Sequence, residues 1–83
     1  MAKDRKLYER ITRNPLNVRF DELCKLAQGF GFMLKGGKGS HRIYTRKGVA
    51  EMMNFQNVDG NAKPYQVKQF LKIISKYKLD EGA

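Results

Sequence analysis

The stretch Phe32-Met33-Leu34-Lys35-Gly36-Gly37-Lys38-Gly39-Ser40-His41-Arg42-Ile43-Tyr44-Thr45-Arg46-Lys47-Gly48-Val49, running on to Phe55, decides how this chain folds. β-Branched and aromatic residues recur in it in short runs, and glycine-bearing turns separate the runs. It reads as three strands: Phe32 to Lys35, Ser40 to Arg46 and Val49 to Phe55. Gly36 to Gly39 turns the chain between the first two, and Lys47-Gly48 turns it into the third. Strands joined by turns this short run antiparallel. The expected sheet is a three-stranded meander.

Helical periods flank it on both sides. Leu7 and Ile11, with Tyr8 beside them, predict a helix over residues 4–13 that Asn14-Pro15 ends, because the residue before proline is driven out of the helical region. Phe20, Leu23, Cys24 and Ala27 lie on one face of a second helix over 20–28. Asp21 and Glu22 suit its first turn, and Gly29 and Gly31 are candidate left-handed stops. Residues 56–63 read as a polar loop. Pro64 suits the first turn of a last helix whose apolar stripe is Val67, Phe70, Leu71, Ile74 and Tyr77. The tail 80–83 is expected to fray. The order is α-α-β-β-β-α: an α+β fold with a three-stranded antiparallel sheet and helices on one face. Met33, Met52 and Met53 read as core fillers, and Cys24 as a small buried hydrophobe.

The length of 83 residues fits one domain over 1–83, with a small core. Seventeen Lys and Arg against eight Asp and Glu leave a net charge of +9, which makes a polyanion the default partner. One cysteine permits no internal disulfide, and one histidine among scattered carboxylates supplies no metal-ligand set. No metal or other cofactor is therefore expected. Met1 to Arg5 lead into no apolar stretch, and no run is long enough to cross a membrane, so neither a secretory signal nor a membrane span is expected.

The charge is unevenly placed. From Leu23 to Ala50 there is no acidic residue, while Lys25, Lys35, Lys38, Arg42, Arg46, Lys47 and His41 all lie there. Lysines on a sheet edge discourage aggregation, which accounts for some of this without a ligand. The other reading is a surface that tracks phosphates. In the loop, glycines such as Gly39 let main-chain N–H groups approach an anion, and Lys38 and Ser40 add donors; a plain glycine-rich hairpin turn explains the same residues. The spacing is not that of a P-loop, and a strand follows where a helix would be needed. Lys68, Lys72 and Lys76 form a row on the last helix that reads as a solvated face, with phosphate contact second.

A lone histidine is more often structural than catalytic, but His41 directly follows the basic turn and precedes Arg42. These cations oppose a further positive charge on the ring and leave it able to act as a base. Alternation groups His41 with Ile43 and Thr45, and Ile43 suggests that this face turns toward the helices. His41 then escapes burial only at the rim of the sheet. There the start of the last helix would bring Lys63, Tyr65 and free main-chain N–H groups to a phosphate.

Several of these residues together resemble the HicA toxin family. They are Val18-Arg19-Phe20-Asp21-Glu22-Leu23, Gly31-Phe32, Gly37-Lys38-Gly39-Ser40-His41 with Ile43-Tyr44, and Lys63-Pro64-Tyr65-Gln66-Val67-Lys68. The likeness covers about residues 14–78 in the right order, and the Gly-Ser-His element is its most specific part. It implies a double-stranded-RNA-binding-like fold and metal-independent cleavage of messenger RNA in the cytoplasm. It also implies that His41 is the essential residue, and that a HicB-type antitoxin is the inhibiting partner. Some members carry Pro-x-His near the end of the third strand; here the chain reads Asn54-Phe55-Gln56-Asn57. With one imidazole, a two-histidine mechanism is excluded for a monomer.

The expected site is His41 as base for a ribose 2′-hydroxyl. Lys38 and Arg42 would face the charge on phosphorus, Lys35, Gly39, Ser40, Lys63 and Tyr65 would contact RNA, and water or Tyr65 would protonate the leaving oxygen. The alternative is a non-catalytic module that binds double-stranded RNA by its shape.

Overall fold

A computed structural model describes residues 5–81, so residue 4 of the helix expected over 4–13 and residues 82–83 of the expected tail lie outside the described residues. Leu7 and Ile11 share a face of α1 (Arg5–Arg13), and Ile11 is completely buried. Helix α2 (Phe20–Gly29) begins where the Arg19 main-chain N–H donates to Glu22 Oε1 at 3.1 Å, one of the orphan donors of a helix start. Phe20, Leu23, Cys24 and Ala27 are buried along it as the period requires, and Leu26 joins them. Gly31, with φ of 87°, makes the left-handed stop; Gly29 does not, and is simply the last helical residue. Glu22 also pairs with Arg10, fastening α1 to α2. Burial raises the Glu22 carboxyl, but the Arg19 N–H and the Arg10 guanidinium outweigh it and hold the group below its ordinary value.

Among the described residues the sheet has four strands, not three. β1 (Met33–Gly36), β2 (His41–Arg46), β3 (Val49–Val58) and β4 (Asn61–Ala62) pair antiparallel in that order. The polar stretch expected as a loop over 56–63 is instead the end of β3, a tight turn, and β4. Asp59 and Gly60 both take positive φ, at 54° and 87°, which is what a two-residue hairpin of matching twist requires. Asn57 Oδ1 accepts the Gly60 N–H at 2.7 Å and fixes the turn. The connector before α2 adds to the same edge, with the Ala62 N–H donating to the Val18 carbonyl at 2.9 Å. The last helix, α3 (Pro64–Lys76), follows directly.

The core lies between one face of the sheet and the helices. Tyr44, Met53 and Phe55 enter it from β2 and β3, and Val67, Phe70 and Ile74 from α3. Phe70 meets Phe32 and Phe55 edge to face, with ring centroids 5.2 and 5.6 Å apart. Leu71 and Tyr77 complete the expected stripe at half-burial, and Ile73 adds to it. Cys24 is buried there, and burial pushes its thiol up, away from reactivity. Only one of the three methionines fills the core. Met53 is 1% exposed, whereas Met33 is 73% and Met52 64% exposed, both on the face of the sheet that no helix covers.

At the far end of α3 a polar clasp closes the molecule. Glu51 accepts from Lys76 Nζ and from the Tyr77 hydroxyl, both at 2.7 Å. These two donors hold the Glu51 carboxyl at about 2, against an ordinary value of 4.5. A carboxyl lowered on folding stabilises above its ordinary value, and that contribution is lost as pH falls through the folded value. Glu51→Gln should therefore lower the urea midpoint near neutral pH. The gap from wild type should close as pH falls from about 4.5 to about 2. A gap unchanged across that window would show that the clasp contributes nothing through its charge.

Candidate nucleic-acid interface

The loop before His41 is shaped by the main chain it crosses. Gly36 faces Ile43 after a register shift in β1, so the ladder bulges where the loop begins. Gly37 then runs hard against β2. A Cβ on it would lie 2.3 Å from the His41 carbonyl oxygen and 2.9 Å from the Arg42 Cα, and its φ is 139°. The chain next closes a turn in which the His41 N–H donates to the Lys38 carbonyl at 3.1 Å. The Asn57 N–H donates to the Ser40 carbonyl at 2.8 Å and starts the β2–β3 ladder. The main chain on both sides of His41 is thereby fixed, while Lys38, Gly39 and Ser40 stay exposed at the tip. The glycines are thus explained in part by the hairpin itself.

His41 faces away from the helices, which corrects the expectation drawn from Ile43. The buried residue of β2 is Tyr44, so Arg42, Tyr44 and Arg46 form the core-side row, and His41, Ile43 and Thr45 line the open face. A large ring buries more apolar surface than an isoleucine between His and Thr, and this sets the facing. The arginines that share Tyr44's row do not oppose it, because their stems cover the core and their heads reach its rim. Arg42 Cζ stands 5.7 Å from the centre of the Phe20 ring, and Arg46 Nε donates to the Phe30 carbonyl at 2.7 Å.

The expected basic cluster is consequently divided. Arg42 shares a recess of about 230 Å³ with Lys25 of α2, on the helix side of the sheet. Lys35 lies on β1 at the register shift, and Lys38 on the loop that leads into His41. His41 and Arg42 are neighbours in sequence but do not converge on one point. The side-chain partner of His41 is Asn54 of β3, with Nδ1 and Oδ1 3.3 Å apart. Asn54 belongs to no motif in the sequence. The signal was its position one residue before Phe55, which puts it on the opposite face from that buried ring.

The start of α3 is tied to this region through the main chain. His41 pairs with Gln56 in the ladder, and the Gln56 N–H donates to Gln66 Oε1 at 2.8 Å. Gln66 is 6% exposed, the buried polar side chain of the core, and it caps the strand where β4 ends. Lys63 Nζ lies 6.0 Å from the centre of the exposed Tyr65 ring, so these two come together. Among the described residues, no hydrogen bond joins either of them to His41. The first turn also offers little to an anion: Pro64 has no N–H, and those of Gln66 and Val67 donate to the Lys63 carbonyl. Lys63 and Pro64 instead border a recess of about 380 Å³ with Leu16 and Val58.

Neither recess includes His41, which stands on an open surface. An enclosed small-molecule site would bury its ligand; an open imidazole beside loop cations suits a chain-like anion that passes across it. Among the described residues, no group of three His, Cys, Asp or Glu side chains could hold a metal ion. No helix of those residues is long and apolar enough to cross a membrane. No known protein family, curated protein or solved structure matches the chain.

Proposed function

We propose that this chain is a HicA-like endoribonuclease that cuts messenger RNA in the cytoplasm, with His41 as its general base. The observation that carries this reading is the placement of the sole imidazole. It is exposed on the open face of the sheet, on a fixed main chain, directly after a glycine loop that presents Lys38. His41 contributes nothing to the buried core, so packing does not account for its place after the loop. The order α2-β1-β2-β3-α3, with both helices on one face, supports a double-stranded-RNA-binding-like fold to which α1 and β4 are additions.

His41 Nε2 takes the proton of a ribose 2′-hydroxyl, and the 2′-oxygen attacks the adjacent phosphorus. The bond from phosphorus to the 5′-oxygen breaks, water protonates that oxygen, and a 2′,3′-cyclic phosphate remains. Lys38 faces the charge that builds on the phosphoryl oxygens, with Gly39 and Ser40 of the same turn. Lys35 of β1, Arg42 across the sheet, and Lys63 with Tyr65 hold flanking nucleotides. A HicB-type antitoxin with an acidic surface silences the protein by covering the same cations.

The test is incubation of the protein with RNA in excess chelator. The expected products end in 2′,3′-cyclic phosphate, and one 2′-deoxy nucleotide at a cut position blocks cleavage there. Tight binding of duplex RNA with no cutting would replace this reading with that of a non-catalytic module.

A further inference from the structure

We infer that Asn54 is a positioning residue for His41, holding its ring in the tautomer that leaves Nε2 free to accept a proton. The inference rests on the nuclease reading for its consequence, and on geometry for its substance. A neutral imidazole carries one N–H and one bare nitrogen, and only the bare one can act as a base. Asn54 Oδ1 lies 3.3 Å from Nδ1. A carbonyl oxygen only accepts, so the bond exists when Nδ1 holds the hydrogen. The lone pair is then at Nε2, which has no hydrogen-bond partner among the described residues.

The two partners are well placed to enforce this. Asn54 lies opposite Ile43 in the β2–β3 ladder, one step along the open face from His41, which lies opposite Gln56. Both therefore project from paired strands on the same side, at the diagonal distance that side chains of this length can span. The main chain at His41 is held by the Lys38 turn and by the Ser40–Asn57 bond, so the ring torsions are its remaining freedom. The amide removes that freedom with a neutral group. A carboxylate there would also favour the Nδ1–H form, but by stabilising the protonated ring it would leave less of the neutral form available to accept a proton.

The surrounding charges do not supply the same service. Lys35 on β1 and Lys38 in the loop are cations without acceptor atoms in their side chains, and Arg42 turns to the other face. Glu51, the acidic residue within β3, is occupied by Lys76 and Tyr77 at the other end of the molecule. Asp59 in the following turn lies beyond Asn57, past the strand position that pairs with the ring. Among the described residues, Asn54 is the acceptor at the imidazole.

Because the chain has one histidine, its two ring nitrogens are directly observable by long-range ¹H–¹⁵N correlation. On the full ¹⁵N-labelled protein above neutral pH, we expect Nδ1 protonated and Nε2 bare, and in Asn54→Ala a shift of population toward Nε2–H. Both residues are exposed, so the variant keeps its fold, and backbone amide dispersion verifies that. In cleavage assays Asn54→Ala should lose about tenfold to a hundredfold in kcat, the scale of a misplaced reacting group, with KM little changed. Asn54→Asp should recover part of that loss, with the acid limb of its pH profile moved to higher pH than in wild type, because a carboxylate stabilises the protonated ring.

Nε2–H as the main wild-type form, or a ring unaffected by Asn54→Ala, would overturn the inference. So would equal kcat in wild type and Asn54→Ala. A wild-type protein that cuts no RNA while its ring shows Nδ1–H would overturn the nuclease reading instead.

Discussion

His41→Ala should cut RNA about 10²- to 10⁴-fold more slowly than wild type, the range a general base contributes. The size of the loss follows from the composition of the chain, since no second imidazole is present to take over the proton. Stability should move by no more than about 0.5 kcal/mol, because the side chain is exposed and, among the described residues, its hydrogen bond is the surface bond to Asn54. RNA affinity should also persist. The base form of an imidazole carries no charge, so counterion release belongs to Lys35, Lys38 and the other cations. Binding should therefore weaken with added salt at the same slope in both proteins. The measurement is single-turnover cleavage of a defined RNA beside a filter-binding salt series. Unchanged cleavage would end the proposed mechanism. A parallel loss of cleavage and binding would make His41 a binding group.

Much of this architecture was open to inspection in the residue order, and the misreadings share a physical cause. The helices were legible because Phe20, Leu23, Cys24 and Ala27, and again Val67, Phe70 and Ile74, repeat at a period that has a single buried side. Strand β2 was harder. His41-Arg42-Ile43-Tyr44-Thr45-Arg46 offers an apolar residue to each face, so alternation alone assigns no inside. The answer depended on a tertiary fact: the Arg42 and Arg46 heads find Phe20 and the Phe30 carbonyl at the rim. The same ambiguity misplaced Met33 and Met52, which sit on the uncovered face. β4 escaped notice because Ala62 is its single buried residue, although Asp59-Gly60 is a hairpin signal that composition of the polar run obscured.

The site was legible in its parts but not in its arrangement. The loop, its lysine and the histidine are adjacent in sequence and remain together in space. Arg42 is adjacent too, yet a strand sends neighbours to opposite faces, so proximity along the chain became separation across the sheet. Asn54 lies far along the chain and meets His41 through the register of two strands. A register is a property of the folded pair, and a single sequence does not state it.

The glycine loop supplies a second large effect, and two adjacent glycines make it a controlled one. Gly37→Ala places a methyl group 2.3 Å from the His41 carbonyl oxygen and 2.9 Å from the Arg42 Cα. Both are main-chain atoms inside a paired strand, so no rotamer change relieves the contact. The φ of 139° adds strain for any residue with a side chain. Backbone strain of this kind costs about 1–3 kcal/mol, and the alternative is to lift the loop from β2. Lifting it breaks the Lys38–His41 turn and moves the ring, and a displacement near 1 Å costs about a hundredfold in rate. Gly36→Ala meets nothing within 4 Å and no positive φ. It should leave both quantities close to wild type, or stabilise by about 0.4–1 kcal/mol through the unfolded chain. Urea unfolding and single-turnover cleavage of the two variants, side by side, separate the steric demand at Gly37 from a general need for loop flexibility. If flexibility were what the loop requires, both alanines would slow cleavage alike without lowering stability. If the close approach of Gly37 to His41 sets the site, the loss belongs to Gly37→Ala and appears in both measurements.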